Sequence, residues 1–268
     1  LTLESEKTVG EILAGLEQWL GNSGHRLSGL VIDGETIHAG GLADSFGRDI
    51  ASVGSLDIKT NTLPELAVAA LINAAEDIAE YEGAGFEEKR KIAGEWTESP
   101  QAGLLAEQIP EIHELVLKTL SGEGPDSRAV RSMIEERIHE LQNPAAELGR
   151  VEPLVAEIAR RLEDLPLDIQ TGKDARAVET IRLFSGLAEK IFRVFNLLKV
   201  EGFPVGDMRV DGAPVSDYIT EFSSALKELL EAYEQKDAVL VGDLAEYELA
   251  PRLGSLYAAM KTQAAPSA

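Results

Sequence analysis

The sequence predicts an α+β fold dominated by α-helix, and three observations carry that prediction. Residues 1–60 alternate apolar and polar side chains around an Asp33-Gly34 pair, the texture of short strands and tight hairpins. From Thr62 onward the apolar spacing lengthens to three and four residues, the texture of amphipathic helices. Between Glu201 and Val215, three glycines and two prolines interrupt the helical pattern. The chain therefore reads as a small α/β domain at 1–60, a multi-helix bundle at 61–261 with a Gly/Pro-rich break at 201–215, and a flexible tail at 262–268.

In the first domain, Leu1-Thr-Leu-Glu4 alternates as a half-buried strand does. A helix follows on the stripe Val9, Ile12, Leu13, Leu16, Trp19 and Leu20. Thr8 with Glu11 three residues on forms a capping box for it. Leu27 to Ile32 reads as a strand, Asp33-Gly34 as a two-residue hairpin turn, and Thr36-Ile37-His38 as the returning strand. Ser55 to Thr60 alternates again. This order of strand, helix, hairpin, loop and strand resembles a β-grasp, ubiquitin-like arrangement, in which "TVGEIL" is the kind of segment that opens the helix. The likeness covers under a quarter of the chain. Gly40-Gly41 is not at a C-terminus, so a sulfur-carrier or conjugation role is not expected from it.

The bundle opens at Thr62-Leu-Pro-Glu65, a second capping box with Pro64 in the first turn, where its missing N–H is no loss. That helix is expected to reach Tyr81, with a short one at Phe86 to Trp96 and a restart at Pro110. Asp126 or Ser127 caps a helix carrying Val130, Ile134, Ile138 and Leu141. Leu148, Val151, Val155, Ile158, Leu162 and Leu165 form a seam with coiled-coil spacing, which also permits pairing between copies as a homo-oligomer. Val178, Ile181, Phe184, Ala188, Ile191, Phe195 and Leu198 mark a long helix with a wide apolar face. Met208 to Val215 echoes Leu30 to Ile37 through its own Asp-Gly pair. Ser216 then caps a further helix.

Composition removes several functions. With 47 acidic against 25 basic side chains, the formal charge is -22, so nucleic acid and anionic lipid are repelled at long range. The same excess suits a basic partner. No cysteine is present, which excludes disulfides, thiol nucleophiles and thiolate metal sites. Leu1 to Lys7 has neither a basic start nor an apolar middle, so no leader is expected. The expected location is the cytoplasm of a bacterium, with no membrane contact.

The segment Lys236–Pro251, KDAVLVGDLAEYELAP, admits two readings. As a strand, Ala238 to Val241 has no pairing partner in its flanks. As a helix, Asp237 stands at the N-cap, Leu240, Leu244 and Tyr247 share a face, and Gly242 costs roughly 1 kcal/mol, a tolerable penalty if the backbone must approach a neighbour. Helix is the better reading. Asp243, Glu246 and Tyr247 then lie together, and their two carboxylates read as a solvated face, because no neighbouring device separates their pKa values as acid/base catalysis requires. The segment is similar to ones near the ends of uncharacterised bacterial helical-bundle proteins, of the type K-D-x-V-L-x-x-D-L-x-E-Y-E, from which no function carries over. It also resembles, locally, helical chaperones that escort flagellar subunits to export, which implies a chaperone-like role. Asp237, Leu240, Asp243, Leu244, Glu246 and Tyr247 are therefore the candidate partner-binding residues.

Glu136 and His139 have the i,i+3 spacing that di-iron bundles use, but those bundles need a second such pair and two further Glu residues. They define the alternative reading, a metal-binding bundle or metal-dependent enzyme. Gly172-Lys173-Asp174 lacks the rest of a phosphate loop, and Gly21-Asn-Ser-Gly-His25 does not satisfy a nucleophile turn. Trp19 and Trp96 read as packing residues. The favoured expectation is a non-enzymatic protein–protein interaction adaptor or chaperone. It needs no cofactor and takes a basic or helical protein partner.

Overall fold

Packing in the computed structural model gathers the chain into two units that divide between Ile138 and His139. The structure describes residues 6–22, 24–37 and 42–264. The fold is α+β with helix dominant, as predicted. The expected strand at Leu1–Glu4, together with His38 and Gly40-Gly41, lies outside the described residues.

The first unit begins with α1 (Val9–Asn22). Its capping box forms as predicted: the Glu11 N–H donates to Thr8 Oγ1, and the Thr8 N–H donates to Glu11 Oε2, both at 3.3 Å. Val9, Ile12, Leu13 and Leu20 turn inward, but Trp19 is exposed although the spacing puts it on the same stripe. Three strands, β1 (His25–Ile32), β2 (Glu35–Ile37) and β3 (Leu56–Thr62), make an antiparallel sheet in the order β2-β1-β3. Between β2 and β3 lies the one-turn helix α2 (Leu42–Phe46). Asp33 and Gly34 both take positive φ, 53° and 84°, which is the two-residue turn that matches strand twist. Asp33 also accepts hydrogen bonds from the N–H groups of Gly54 and Ser55, at 2.7 and 2.9 Å, tying the hairpin to the approach to β3. Leu30 and Ile32, two apart on β1, meet Val9 and Leu13 in a small core.

From β3 the chain passes at Thr62 into α3 (Leu63–Gly83), with the predicted capping box to Glu65 complete. The helices α4 (Phe86–Glu98), α5 (Pro100–Gln108), α6 (Pro110–Leu120) and α7 (Ser127–Gln142) follow. Leu71, Ile78, Trp96, Leu105, Val116, Val130 and Ile134 are buried on these helices. Gly124 is needed in the turn after α6, since a Cβ there would sit 2.5 Å from the Thr119 nitrogen.

The second unit is built on α8 (Pro144–Gln170) and α9 (Asp174–Val200). The α8 seam, Leu148 to Leu165, is buried against the chain's own helices, chiefly α9 and the C-terminal helix α12 (Ala250–Ala264). Each such residue, fully buried, contributes roughly 1.5–3 kcal/mol. The seam is thus filled within the unit. On α9, Ala177 and Ile181 point inward, whereas Val178, expected inside, is about half exposed. Phe184 and Phe192 of α9 hold Phe222 of α10 (Val215–Glu234), at ring-centroid distances of 6.0 and 5.5 Å.

Between α9 and α10 the 201–215 break forms a hairpin of β4 (Arg209–Val210) and β5 (Ala213–Pro214), whose Asp211-Gly212 turn repeats the positive φ values of Asp33-Gly34. Pro214, not Ser216, occupies the N-cap of α10. The Ser216 hydroxyl instead bonds Asp217 Oδ1 at 3.2 Å. Helix α11 (Ala238–Asp243) and a π-helical segment (Leu244–Leu249) lead into α12, which continues through Thr262 to Ala264.

Candidate functional site

The end of the segment from Asp237 to Pro251 contributes Tyr247, Glu248 and Pro251 to the wall of a surface cleft in the second unit. Asp237 caps α11, its Oδ1 accepting from the Leu240 N–H at 3.1 Å. Gly242 packs on the ring of Pro166 in α8, where an added Cβ would stand 3.1 Å from two ring carbons. Close approach is therefore the reason for a glycine inside this helix.

Pro251 explains the π-helical segment. It has no N–H for the carbonyl four residues back, and its ring crowds that carbonyl. The chain widens by one residue, with the Ala250 N–H donating to the Ala245 carbonyl five back. A regular helix would set Leu240, Leu244 and Tyr247 on one face. In the widened turn, Leu244 is buried and Leu240 packs against the core, while Tyr247 points out with 67% exposure. Asp237 and Asp243 are exposed, and Glu246 is half-buried.

Tyr247 borders a cleft of about 280 Å³ whose other walls include Val210, Asp211, Tyr218, Glu248 and Arg252. Arg252 is fixed by Glu248 on its own helical run and Glu221 on α10, each at 3.0 Å, and its guanidinium lies 5.5 Å from the Tyr218 ring centroid. The Tyr218 hydroxyl stands 3.3 Å from Asp211 Oδ2 and 3.2 Å from the Arg252 carbonyl oxygen. Burial, with Asp211 adding to it, pushes the Tyr218 phenol above its ordinary range. The carboxylate of Glu246, accepting from Tyr247, does the same to that phenol. Both tyrosines thus stay protonated near neutrality. They present aromatic faces and hydroxyl donors.

Tyr218, Asp211 and Arg252 were not singled out from the sequence. The signals that could have found them are the Asp211-Gly212 echo and the Glu248-to-Arg252 spacing of four.

The alternative pair, Glu136 and His139, stands near the end of α7. His139 Nδ1 lies 2.8 Å from Glu147 Oε2 on α8, so its nearest carboxylate is one the spacing rule did not name. Glu147 is buried and also meets Lys190 at 2.7 Å and Arg150 at 3.1 Å. Burial alone would raise its carboxyl, but Lys190, Arg150 and His139 override burial and hold it below the ordinary carboxylate range. Among the described residues, no three His, Asp or Glu side chains gather where they could hold a metal ion. No helix among them is long and apolar enough to cross a membrane.

Comparison with known proteins agrees with the expected likeness to bacterial proteins without an assigned activity. Residues 1–62 match the model of the TP0873 N-terminal domain, and residues 147–259 match that of a domain of unknown function, DUF8042. The second match contains the whole cleft. The chain is similar to an uncharacterized protein of Treponema pallidum (strain Nichols), with 36% identity over 110 residues, covering 38% of this chain and 54% of the relative. It therefore spans about half the length of that relative. No solved structure matches.

Proposed function

We propose that this chain is a non-enzymatic protein–protein interaction adaptor or chaperone of the bacterial cytoplasm, and that its contact surface runs from Asp237 to Tyr247. Tyr247 carries the reading. It is a large aromatic left exposed on a short turn whose neighbours Leu244, Ala245 and Leu249 are locked in the core. Rigid exposed aromatics are the residues that anchor interfaces, because they bury much area with little loss of side-chain entropy. Asp243 and Glu246 beside it suit a basic or helical partner and speed its approach. Asp237, Leu240 and Leu244 hold the segment in shape. The reading keeps the 1–60 unit as a separate domain, a boundary that the 1–62 match supports.

The test is a pull-down from native lysate at low and moderate salt, comparing the parent chain with Tyr247→Ala and with Asp243→Asn/Glu246→Gln. A stoichiometric partner whose affinity falls by about 2 kcal/mol with Tyr247→Ala is the expected result. A partner held equally by all three chains would move the surface elsewhere, and substrate turnover at the cleft would overturn the non-enzymatic reading.

A further inference from the structure

The sheet of the first unit ends on one side at β2, three residues long, and on the other at β3, seven residues long. Which way the backbone of β3 faces follows from the hairpin. In a two-residue turn the flanking residues bond each other, so the N–H and C=O of Ile32 point to Glu35 on β2. The direction alternates along β1, so Val31 points to β3 and bonds Asp57, its partner in register. The Asp33 N–H, donating to the Ser55 carbonyl at 2.9 Å, fixes the same phase. Asp57, Lys59 and Asn61 therefore turn their backbone groups to β1, and Leu56, Ile58, Thr60 and Thr62 turn theirs outward. Thr62 agrees, since its N–H donates to Glu65 Oε2 at 2.7 Å. Among the described residues, β3 pairs with β1 alone, and no hydrogen bond engages the outward N–H and C=O groups of Leu56, Ile58 and Thr60.

An open edge of this length is a template for another strand, and folded proteins guard such edges with proline, bulges or charge. β3 contains no proline, and the sheet's bulge lies between Leu27 and Gly29 on β1. Its charges are Asp57 and Lys59, both exposed, while Leu56 and Ile58 pack on the small core. Opposite charges two positions apart oppose some registers and favour one. Suppose β3 meets β3 of a second copy, antiparallel about a two-fold axis. An axis at Asp57 sets carboxylate against carboxylate, and an axis at Lys59 sets ammonium against ammonium. An axis at Ile58 sets Asp57 of each copy against Lys59 of the other. That register also sets Ile58 against Ile58 and Leu56 against Thr60, residues whose outward groups exchange both main-chain bonds. The Asp57–Lys59 pairs then fall at the non-hydrogen-bonded positions, where facing side chains stand closest.

We infer that the outer edge of β3 docks a second copy of this chain, the two strands pairing antiparallel about Ile58 and joining two three-stranded sheets into one. This edge lies wholly on the first unit and stands or falls independently of the Tyr247 surface.

The test is sedimentation velocity of the whole chain over a series of concentrations. Moderate salt screens the long-range repulsion between copies of charge -22. The parent chain dimerises. Asp57→Lys and Lys59→Asp each set like charges against each other at both pairs, and each weakens the dimer about tenfold. They change the net charge in opposite directions, so general repulsion cannot account for weakening by both. Mixed in equal amounts, the two variants restore opposite charges at every pair and associate as tightly as the parent. Thr60→Pro deletes an outward N–H, a change that an edge strand tolerates, and also weakens the dimer. Hydrogen exchange at the β1 amides, unchanged from the parent, shows that the sheet is intact in each variant. A parent that stays monomeric at every concentration overturns the second copy as occupant, in favour of an extended segment of another protein. A dimer that the single variants leave unweakened, or that mixing them does not restore, overturns the register and the proposal with it.

Discussion

The two units treat negative charge in opposite ways. In the second unit the deeply buried carboxylates have cations built around them: Glu147 meets Lys190 and Arg150, Glu140 meets Arg193, and Asp168 meets Arg176 and Lys173. In the first unit, the α3 carboxylates at 76, 77 and 80 line a cleft where Lys91 lies near enough to act on Glu80 but forms its ion pairs with Glu88 and Glu95 instead. A buried charge must be paired where it stands, because desolvation penalises it heavily otherwise. A charge at a wet cleft can wait for a partner, because water screens it meanwhile. The comparison separates carboxylates paired inside the fold from carboxylates left along a wet cleft, within one acidic chain.

The largest expected effect tests the paired side of the comparison. Glu147→Gln removes the buried carboxylate that gathers Lys190, Arg150 and His139, and should destabilise the second unit by about 3 kcal/mol. Hydrogen exchange at the amides of α8 and α9 reads this apart from α3 and α4. If exchange in α8 and α9 stayed at the parent rate, the cluster would not be holding the unit together.

Acid sharpens the contrast because the two groups shift in opposite directions. The Glu147 carboxyl is held below its ordinary value of 4.5, so the stability it contributes is present above that value and is lost as pH falls through its lower, folded value. The Asp77 carboxyl is raised above its ordinary value of 3.8, so its ionisation disfavours the folded state, and the first unit gains as pH falls toward that value. Exchange measured from neutral pH downward should show α3 protected further before α8 and α9 begin to open. Parallel loss in both units would break the comparison.

Asp168→Asn is expected to cost less, about 1–2 kcal/mol, since its cations Arg176 and Lys173 are each about half exposed and can turn to water. Urea unfolding followed in the second unit measures it. The smallest effect has the opposite sign. Neutralising Glu76, Asp77 and Glu80 together should stabilise the first unit by about 0.5 kcal/mol through loss of like-charge contacts along α3. A destabilised triple variant would mean that these carboxylates hold the fold after all.

Much of the local structure was legible. Both capping boxes, the Asp33-Gly34 turn and the Asp237 cap depend on residues within four positions of one another, and each formed as the residue types require. Gly242 was legible as a point of close approach, though not that Pro166 would be the neighbour. Periodicity erred where two stripe positions competed for one interior: Val178 lost to Ala177, and Trp19 to Leu20. The π-helical segment was not legible, because the chain accommodates Pro251 by widening the turn, which carries Tyr247 to the surface.

By itself, then, the sequence determined the helix-dominant α+β class, the caps and tight turns, and an acidic chain without cysteine chemistry. These follow from backbone preferences, side-chain period and ionisation, which act over a few residues or over the whole composition. Only the tertiary structure decided which carboxylates would be paired. Glu140 and Arg193 are 53 residues apart in the chain, and a Coulomb interaction depends on distance in space and on the surrounding dielectric, neither of which spacing along the chain records.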